Sequence, residues 1–260
     1  MIKSIKELYE YREMIFSLIR RELRGKYKGS VLGFLWAFLN PLLQLIVYTI
    51  VFSLITRSSI EDFYLYLFVV LIPWMYISAC MTGGATCITG QTELVKKIYF
   101  PRLVLPISYA TSQFVNMLLS FVVVFAVLIV SGKGINPVSI LFLPIIMIIE
   151  YIMGVAIAIL FSCINVYLRD LQQVSGVLSM AWQFFSPVLY SIEETIPAQY
   201  ISIYMMNPIA PMVVIYRQIL YYKQIPDWEL FLNPLVFSIC LLVISCLVFS
   251  KLKKHFAEEL

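Results

Sequence analysis

Charge is what this sequence has least of. Only 13% of its 260 residues are Asp, Glu, Lys or Arg, about half the share of an ordinary soluble domain. Histidine occurs once, at His255 in a charged tail, with no ligand cluster around it. The five cysteines, Cys80, Cys87, Cys163, Cys240 and Cys246, are odd in number, sit inside apolar stretches and never form a CxxC pair. They read as small apolar residues rather than metal or redox groups, so no metal site is expected. No GxxxxGK[ST] run is present, so the chain has no phosphate cradle of that type for ATP. A cleavable secretory leader is also not expected, because charged residues are scattered through positions 1–28. What is abundant is apolar surface, at 61% of residues. A soluble domain of this length has no core large enough to hide it, so the composition specifies a polytopic membrane protein.

Six stretches have the length and apolarity of membrane crossings: 29–56, 63–92, 103–132, 135–168, 171–192 and 230–250. They hold one charge between them, Glu150. Continuous runs without dyad alternation favour helices over a barrel. The expected fold is therefore an all-α membrane protein with six transmembrane helices. A seventh uncharged stretch, 195–216, is interrupted by Pro197, Asn207, Pro208 and Pro211. Asn207-Pro208 reads as a break followed by a helix start. The helix from Pro208 to Tyr222 would be about 22 Å long, too short to cross, so a re-entrant or interfacial hairpin is expected before the last span.

Fifteen of the nineteen Lys and Arg residues fall in 1–28, 93–102, 169–170 and 251–260. The alternate loops hold Arg57, Lys133, Arg217 and Lys223. The positive-inside rule then puts both termini in the cytoplasm. Within 1–28, Ile2, Ile5, Leu8, Tyr11, Ile15, Leu18 and Ile19 recur at helical spacing, with Arg20, Arg21, Arg24, Lys26 and Lys28 towards the end. This is an amphipathic interface helix lying on the cytoplasmic leaflet, followed by a permease domain over 29–260. A purely topological role for the basic cluster is compatible with that reading. Residues 93–102 alternate apolar anchors with charge. A helix there would offer Leu94, Ile98 and Tyr99 or Phe100 to a partner groove beside Lys96 and Lys97; a basic loop serving topology alone is the alternative.

The run RRELRGKYKGSVLGFLWAFLNPLLQLIVYTIVFS resembles the opening of the permease subunits of ABC transporters that export polysaccharide and polyol phosphate (O-antigen, capsule or teichoic acid). TELVKKIYFPRLVLP, NVYLRDLQQV, FFSPVLYS and NPIAPMVVIYRQIL continue the resemblance in family order over nearly the whole chain. The resemblance implies a homodimer of this chain in the plasma (inner) membrane, joined to two copies of a nucleotide-binding ATPase subunit that would carry ATP and Mg. This chain would need no cofactor, would not itself be an enzyme and would have no nucleic-acid partner. The cargo would be a lipid-linked glycan or polyol-phosphate polymer. Loop 93–102, with Glu93, Lys96, Lys97, Ile98, Tyr99 and Arg102, would couple to the ATPase. Spans 1 and 5 would line the channel and 195–222 would hold the external gate helices, with Asn207, Pro208, Pro211 and Arg217.

The residue chemistry is compatible with that picture. A glycan needs a wettable path, and flat aromatic faces with polar tips suit sugars. Span 1 offers Phe34, Trp36, Phe38 and Tyr48, and span 5 offers Trp182, Phe184, Phe185 and Tyr190; interfacial anchoring is the alternative role for each. Trp74 and Trp228 are expected in an external belt. Glu150 is expected in a structural or cavity role, and Arg217 to meet a phosphate or headgroup, or to anchor at the surface. A drug or simple-lipid exporter of the same fold is the nearest alternative. A membrane-embedded glycosyl or phosphoglycosyl transferase would need acid clusters, whereas Glu93 and Asp170 are isolated and Glu61, Asp62, Glu193 and Glu194 fall in outer loops. A proton-driven carrier would need a charge relay or internal repeat, and neither is visible.

Overall fold

The computed structural model describes residues 2–26, 29–55 and 60–259. All its regular elements are helices: α1 (Ile2–Glu10), α2 (Arg12–Gly25), α3 (Trp36–Ile55), α4 (Phe63–Thr86), α5 (Thr92–Lys97), α6 (Val104–Val130), α7 (Pro137–Ile140), α8 (Leu143–Tyr167), α9 (Leu171–Phe184), α10 (Ile192–Thr195), α11 (Ile201–Tyr204), α12 (Ile209–Leu220), α13 (Trp228–Leu252) and α14 (Phe256–Glu259). Four are long and apolar enough to cross a bilayer: α4, α6, α7–α8 taken together, and α13. The bent pair of α11, with the short turn before it, and α12 makes a fifth candidate; the two arms meet at 105°.

α4 is the centre of the bundle. Leu65 to Ile72 are all buried, and α3, α6, α8, α9 and α12 pack around the helix. Its crossing with α8 is tight because the residues there are small: a Cβ on Gly84 would lie 3.0 Å from the Ala158 Cα. Close backbone approach of this kind replaces the hydrophobic drive that helices lack in lipid. α13 lies outermost, packed on α8 and α12. Trp74, expected in an outer belt, is instead 5% exposed, because it sits on the helix that everything else surrounds. Trp228 remains exposed.

The expected fifth span does not run as one helix. α9 stops at Phe184 after 14 residues, about 21 Å of rise, and the chain from 185 to 191 is not helical. Pro187 supplies the reason. It brings no N–H, its ring clashes with the carbonyl four residues back, and it pushes Ser186 out of the helical region. The stretch expected as the first span holds α3, an apolar helix of 20 residues with Pro41 inside, which is not among the four crossing candidates. The amphipathic N-terminal segment is split at Tyr11 (φ −94°, ψ 17°) into α1 and α2. Lys28 lies outside the described residues.

Candidate functional site

The Lys- and Arg-rich segments converge at one end of the bundle. Arg21 donates to the Gln91 side chain at 2.6 Å, tying α2 to the end of α4. Arg102 donates to the Lys253 carbonyl at 2.5 Å and lies over the Phe256 ring. Tyr167 donates to the Leu252 carbonyl at 2.7 Å. A recess of about 480 Å³ opens between these segments, where Glu7 and Glu10 of α1, Tyr99 and Arg102 of the loop, and Lys253 and Lys254 of the tail meet. Arg20, Arg24 and Lys26 are exposed. Lys26 reaches Gln113 of α6 at 3.5 Å.

The loop at this end is helical over only part of its length. Helix α5 covers only 92–97, and Ile98 is extended (φ −126°, ψ 134°). Pro101, three residues on, disfavours helix at the residue before it. Glu93 and Lys97 pair at 2.5 Å across one turn. Tyr99 is 95% exposed and Ile98 is exposed beside it, while Phe100 is buried and unavailable to a partner. Lys96 is exposed on the same short helix.

The opposite end holds the other charged loops. Asp62 and Lys133 pair at 3.0 Å. Partial burial pulls the Lys133 ammonium down, but the hydrogen bond to Asp62, with help from Tyr221 and Glu61, outweighs it and holds the group above its usual value. The Lys223 ammonium donates to the Lys133 carbonyl, Asn136 donates to the Lys223 carbonyl at 2.8 Å, and Tyr221 donates to the Glu61 carbonyl.

Between the two ends, α3 and α9 both lie against α4 and leave their other faces uncovered in the protomer. Leu43, Ile46, Val47 and Ile50 of α3 are exposed, as are Val177, Met180 and Phe184 of α9, with Phe185 beyond it. The only residues α9 buries are Ser175 and Ser179, and Ser179 meets Ser78 of α4 at 2.7 Å. Trp36 is half-buried and donates to Ser30 at 2.9 Å. Phe38 and Tyr48 are half-buried, and Tyr48 packs on the core. The Phe34 side chain lies outside the described residues. Trp182 and Tyr190 are turned to the bent hairpin: the Trp182 indole donates to Asn207 at 3.0 Å, and the Tyr190 and Tyr204 hydroxyls are 2.6 Å apart.

The hairpin bends at Asn207-Pro208 as its residues require. Pro211 is buried in the first turn of α12. Arg217 is 3% exposed. Its guanidinium lies 3.6 Å above the Tyr66 ring and donates to the carbonyls of Val188 and Tyr190, both at 3.1 Å. This corrects the expectation of a surface group meeting phosphate or headgroup, because the fork of donors faces inward onto main chain. Tyr216, its neighbour, donates to Glu150 of α8 at 2.5 Å, and both side chains are buried. Sequence reasoning named Glu150 and Arg217 but missed Tyr216, Ser186 and Tyr204. Hydroxyls in apolar runs carry no periodic signal; only the proximity of FFSPVLYS to the proline-broken stretch hinted at them.

The pattern of the ABC-2 type transporter family matches residues 13–221, most of the chain. This chain belongs to that family. An O-antigen export system permease protein of Myxococcus xanthus is 34% identical over 100% of both chains. One of Klebsiella pneumoniae is 29% identical over 95% of each. A polysialic acid transport protein of Escherichia coli is 24% identical over 78% of this chain and 79% of its own. The ABC-2 membership makes this a transporter permease of the membrane rather than an enzyme.

Proposed function

We propose that this ABC-2 permease is the transmembrane subunit of an ATP-driven exporter that moves a lipid-linked polysaccharide or polyol-phosphate polymer across the plasma membrane. The observation that carries the reading is the end-to-end similarity to an O-antigen export permease, with no large segment left over on either side. That favours a glycan polymer over a drug or simple lipid.

Six crossings, with both ends in the cytoplasm, fit the way the segments group. α2 lies at the basic end and α4 begins at the other, so α3 must traverse. α4, α6, α8 and α13 each link the two ends, and the unwound continuation of α9 meets Arg217, whose guanidinium lies over Tyr66 near the far end of α4. In this reading α1 and α2 lie on the cytoplasmic leaflet. Two copies of the chain face each other through the uncovered sides of α3 and α9 around a channel lined by Phe34, Trp36, Phe38, Tyr48, Trp182, Phe185 and Tyr190. Asn207, Pro208 and Pro211 shape the external gate, whose α12 is fastened by Arg217. Two ATPase subunits hold ATP and Mg, and press on the loop carrying Glu93, Lys96, Lys97, Ile98, Tyr99 and Arg102.

The test is reconstitution with an ATP-binding partner subunit in liposomes carrying lipid-linked glycan. ATP-dependent movement of the glycan to the opposite leaflet is expected, with ATP hydrolysis stimulated by the same glycan. Stimulation by drugs but not by glycan, or nucleotide turnover by this chain alone, would overturn the reading. Within the same assay Tyr99→Asp should lower transport about tenfold, as loss of a central interface anchor does, and leave membrane insertion unchanged.

A further inference from the structure

The stretch from Phe185 to Tyr190 presents main-chain carbonyls outside any helix, in a chain whose surroundings are largely lipid. Such carbonyls are tolerated at membrane depth only where protein or water satisfies them. Here two side chains of the hairpin do so. The Asn207 amide donates to the Phe185 carbonyl and to the Ser186 hydroxyl, each at 2.9 Å. Its oxygen accepts from the Trp182 indole at 3.0 Å and from the Ile209 main-chain N–H at 3.2 Å. Both N–H donors meet the oxygen and both oxygens meet the nitrogen, so the amide has one orientation. Arg217 takes the other end of the stretch, through the Val188 and Tyr190 carbonyls.

The spacing explains why two clips suffice. Eight helical steps from Ile209 to Arg217 rise about 12 Å. The five steps of chain from 185 to 190 span at most about 17 Å. The unwound stretch therefore runs alongside α12 in the same direction, fixed at its start by Asn207 and at its end by Arg217. A planar guanidinium suits the second position, because its fork can serve two carbonyls while its face rests on Tyr66. Tyr190 closes the loop by donating back to the Phe184 carbonyl at 2.9 Å. Phe184 and Phe185, at the junction, are 54% and 72% exposed.

We propose that Asn207 and Arg217 are positioning residues of the conduit: they fasten the unwound 185–190 stretch to α12, so that the end of α9, its exposed phenylalanine pair and the bent hairpin travel as one body. The proposal rests on the transport reading above for its consequence, but its geometry does not. Opening the gate then cannot leave the aromatic pair behind; hairpin and channel wall shift together.

Two experiments test it. In nanodiscs, which expose both membrane faces, a thiol introduced by Phe185→Cys is labelled with an impermeant maleimide, with the parent protein as the control for native cysteines. Asn207→Asp keeps the acceptor contacts to Trp182 and Ile209 and loses the donors to Phe185 and Ser186. It should change the labelling rate about fivefold, as should Arg217→Gln, while Arg217→Lys, which keeps a donor, should change it less. Labelling within about twofold of the parent, in variants that melt as the parent does, overturns the proposal. The second experiment makes the fastening covalent with Ser186→Cys and Asn207→Cys. Reduced, this variant lacks the Asn207 donors and should move less glycan than the parent; oxidation, which restores the fastening as a disulfide, should bring transport back towards the parent's. Transport lost on oxidation and restored by reductant would show that the two parts must separate, and would also overturn it. A labelling change in a protein whose parent moves no glycan would uphold the fastening and count against the transport reading instead.

Discussion

Glu150 and Tyr216 show what a single polar contact demands inside a membrane bundle. The carboxyl on α8 and the hydroxyl on α12 are both buried and lie 2.5 Å apart. The space beside them, lined by Val70, Trp74, Ile77 and Met212, is too small for a cargo group. The pair therefore ties α12 to α8. Glu150→Gln keeps an acceptor oxygen for the Tyr216 hydroxyl and should leave thermal unfolding in detergent nearly unchanged. Glu150→Leu leaves that hydroxyl buried without its acceptor and should cost about 1–3 kcal/mol. If Glu150→Gln abolished transport while its stability held, the carboxyl would have a chemical task beyond tying helices. The sequence exposes the acid as the one charge in six apolar stretches, but its partner is sixty-six residues away and is one tyrosine among seventeen. The same limit hid the true environment of Trp74: hydropathy marks a residue as apolar, not as central or peripheral.

Helices here are decided by small residues and prolines more than by hydropathy. α4 and α8 cross where Gly84 faces Ala158, and a Cβ at Gly84 would press on main chain that cannot swing aside. Gly84→Ala should push the two helices apart and cost about 1–3 kcal/mol, the usual penalty of overpacking. Gly176→Ala on α9 meets open space within the protomer and should be tolerated or gain slightly in helix propensity. Comparing the two variants by thermal unfolding separates crowding from backbone entropy; equal destabilisation would contradict the tight crossing. The long apolar runs that became α4, α6, α8 and α13 were legible because each is continuous and, Glu150 apart, uncharged. The 171–192 run was equally uncharged yet is not one helix, since Pro187 outweighs hydropathy locally. The bend at Asn207-Pro208 was legible from the same chemistry, because there the proline follows a residue whose side chain can cap the next helix. What periodicity cannot supply is the pairing of one irregular stretch with another, which places Arg217 inward on the carbonyls of 188 and 190.

Across the whole molecule, charge placement and architecture agree in a way that no single helix reveals. The segments 1–28, 93–102, 169–170 and 251–260 were grouped by counting Lys and Arg, without reference to contacts. The structure joins their described parts physically, through Arg102 with the Lys253 carbonyl and Arg169 with the Glu259 carbonyl, and through Arg21 with Gln91, two residues before the loop 93–102. Lys133 and Lys223 meet each other's loops at the far end. A bundle with one strongly basic end and one weakly basic end is expected to insert with the strongly basic end in the cytoplasm, because basic loops resist translocation. Ile135, at the far end, and Lys254, beside the recess, are both exposed and can report on this. In spheroplasts, a thiol from Ile135→Cys should react with an impermeant maleimide directly. One from Lys254→Cys should react only after the membrane is opened. The reverse pattern would invert the topology and put loop 93–102 out of reach of any ATP-bound partner. Labelling of both thiols in sealed cells would break the odd number of crossings between them on which the two-ended arrangement depends.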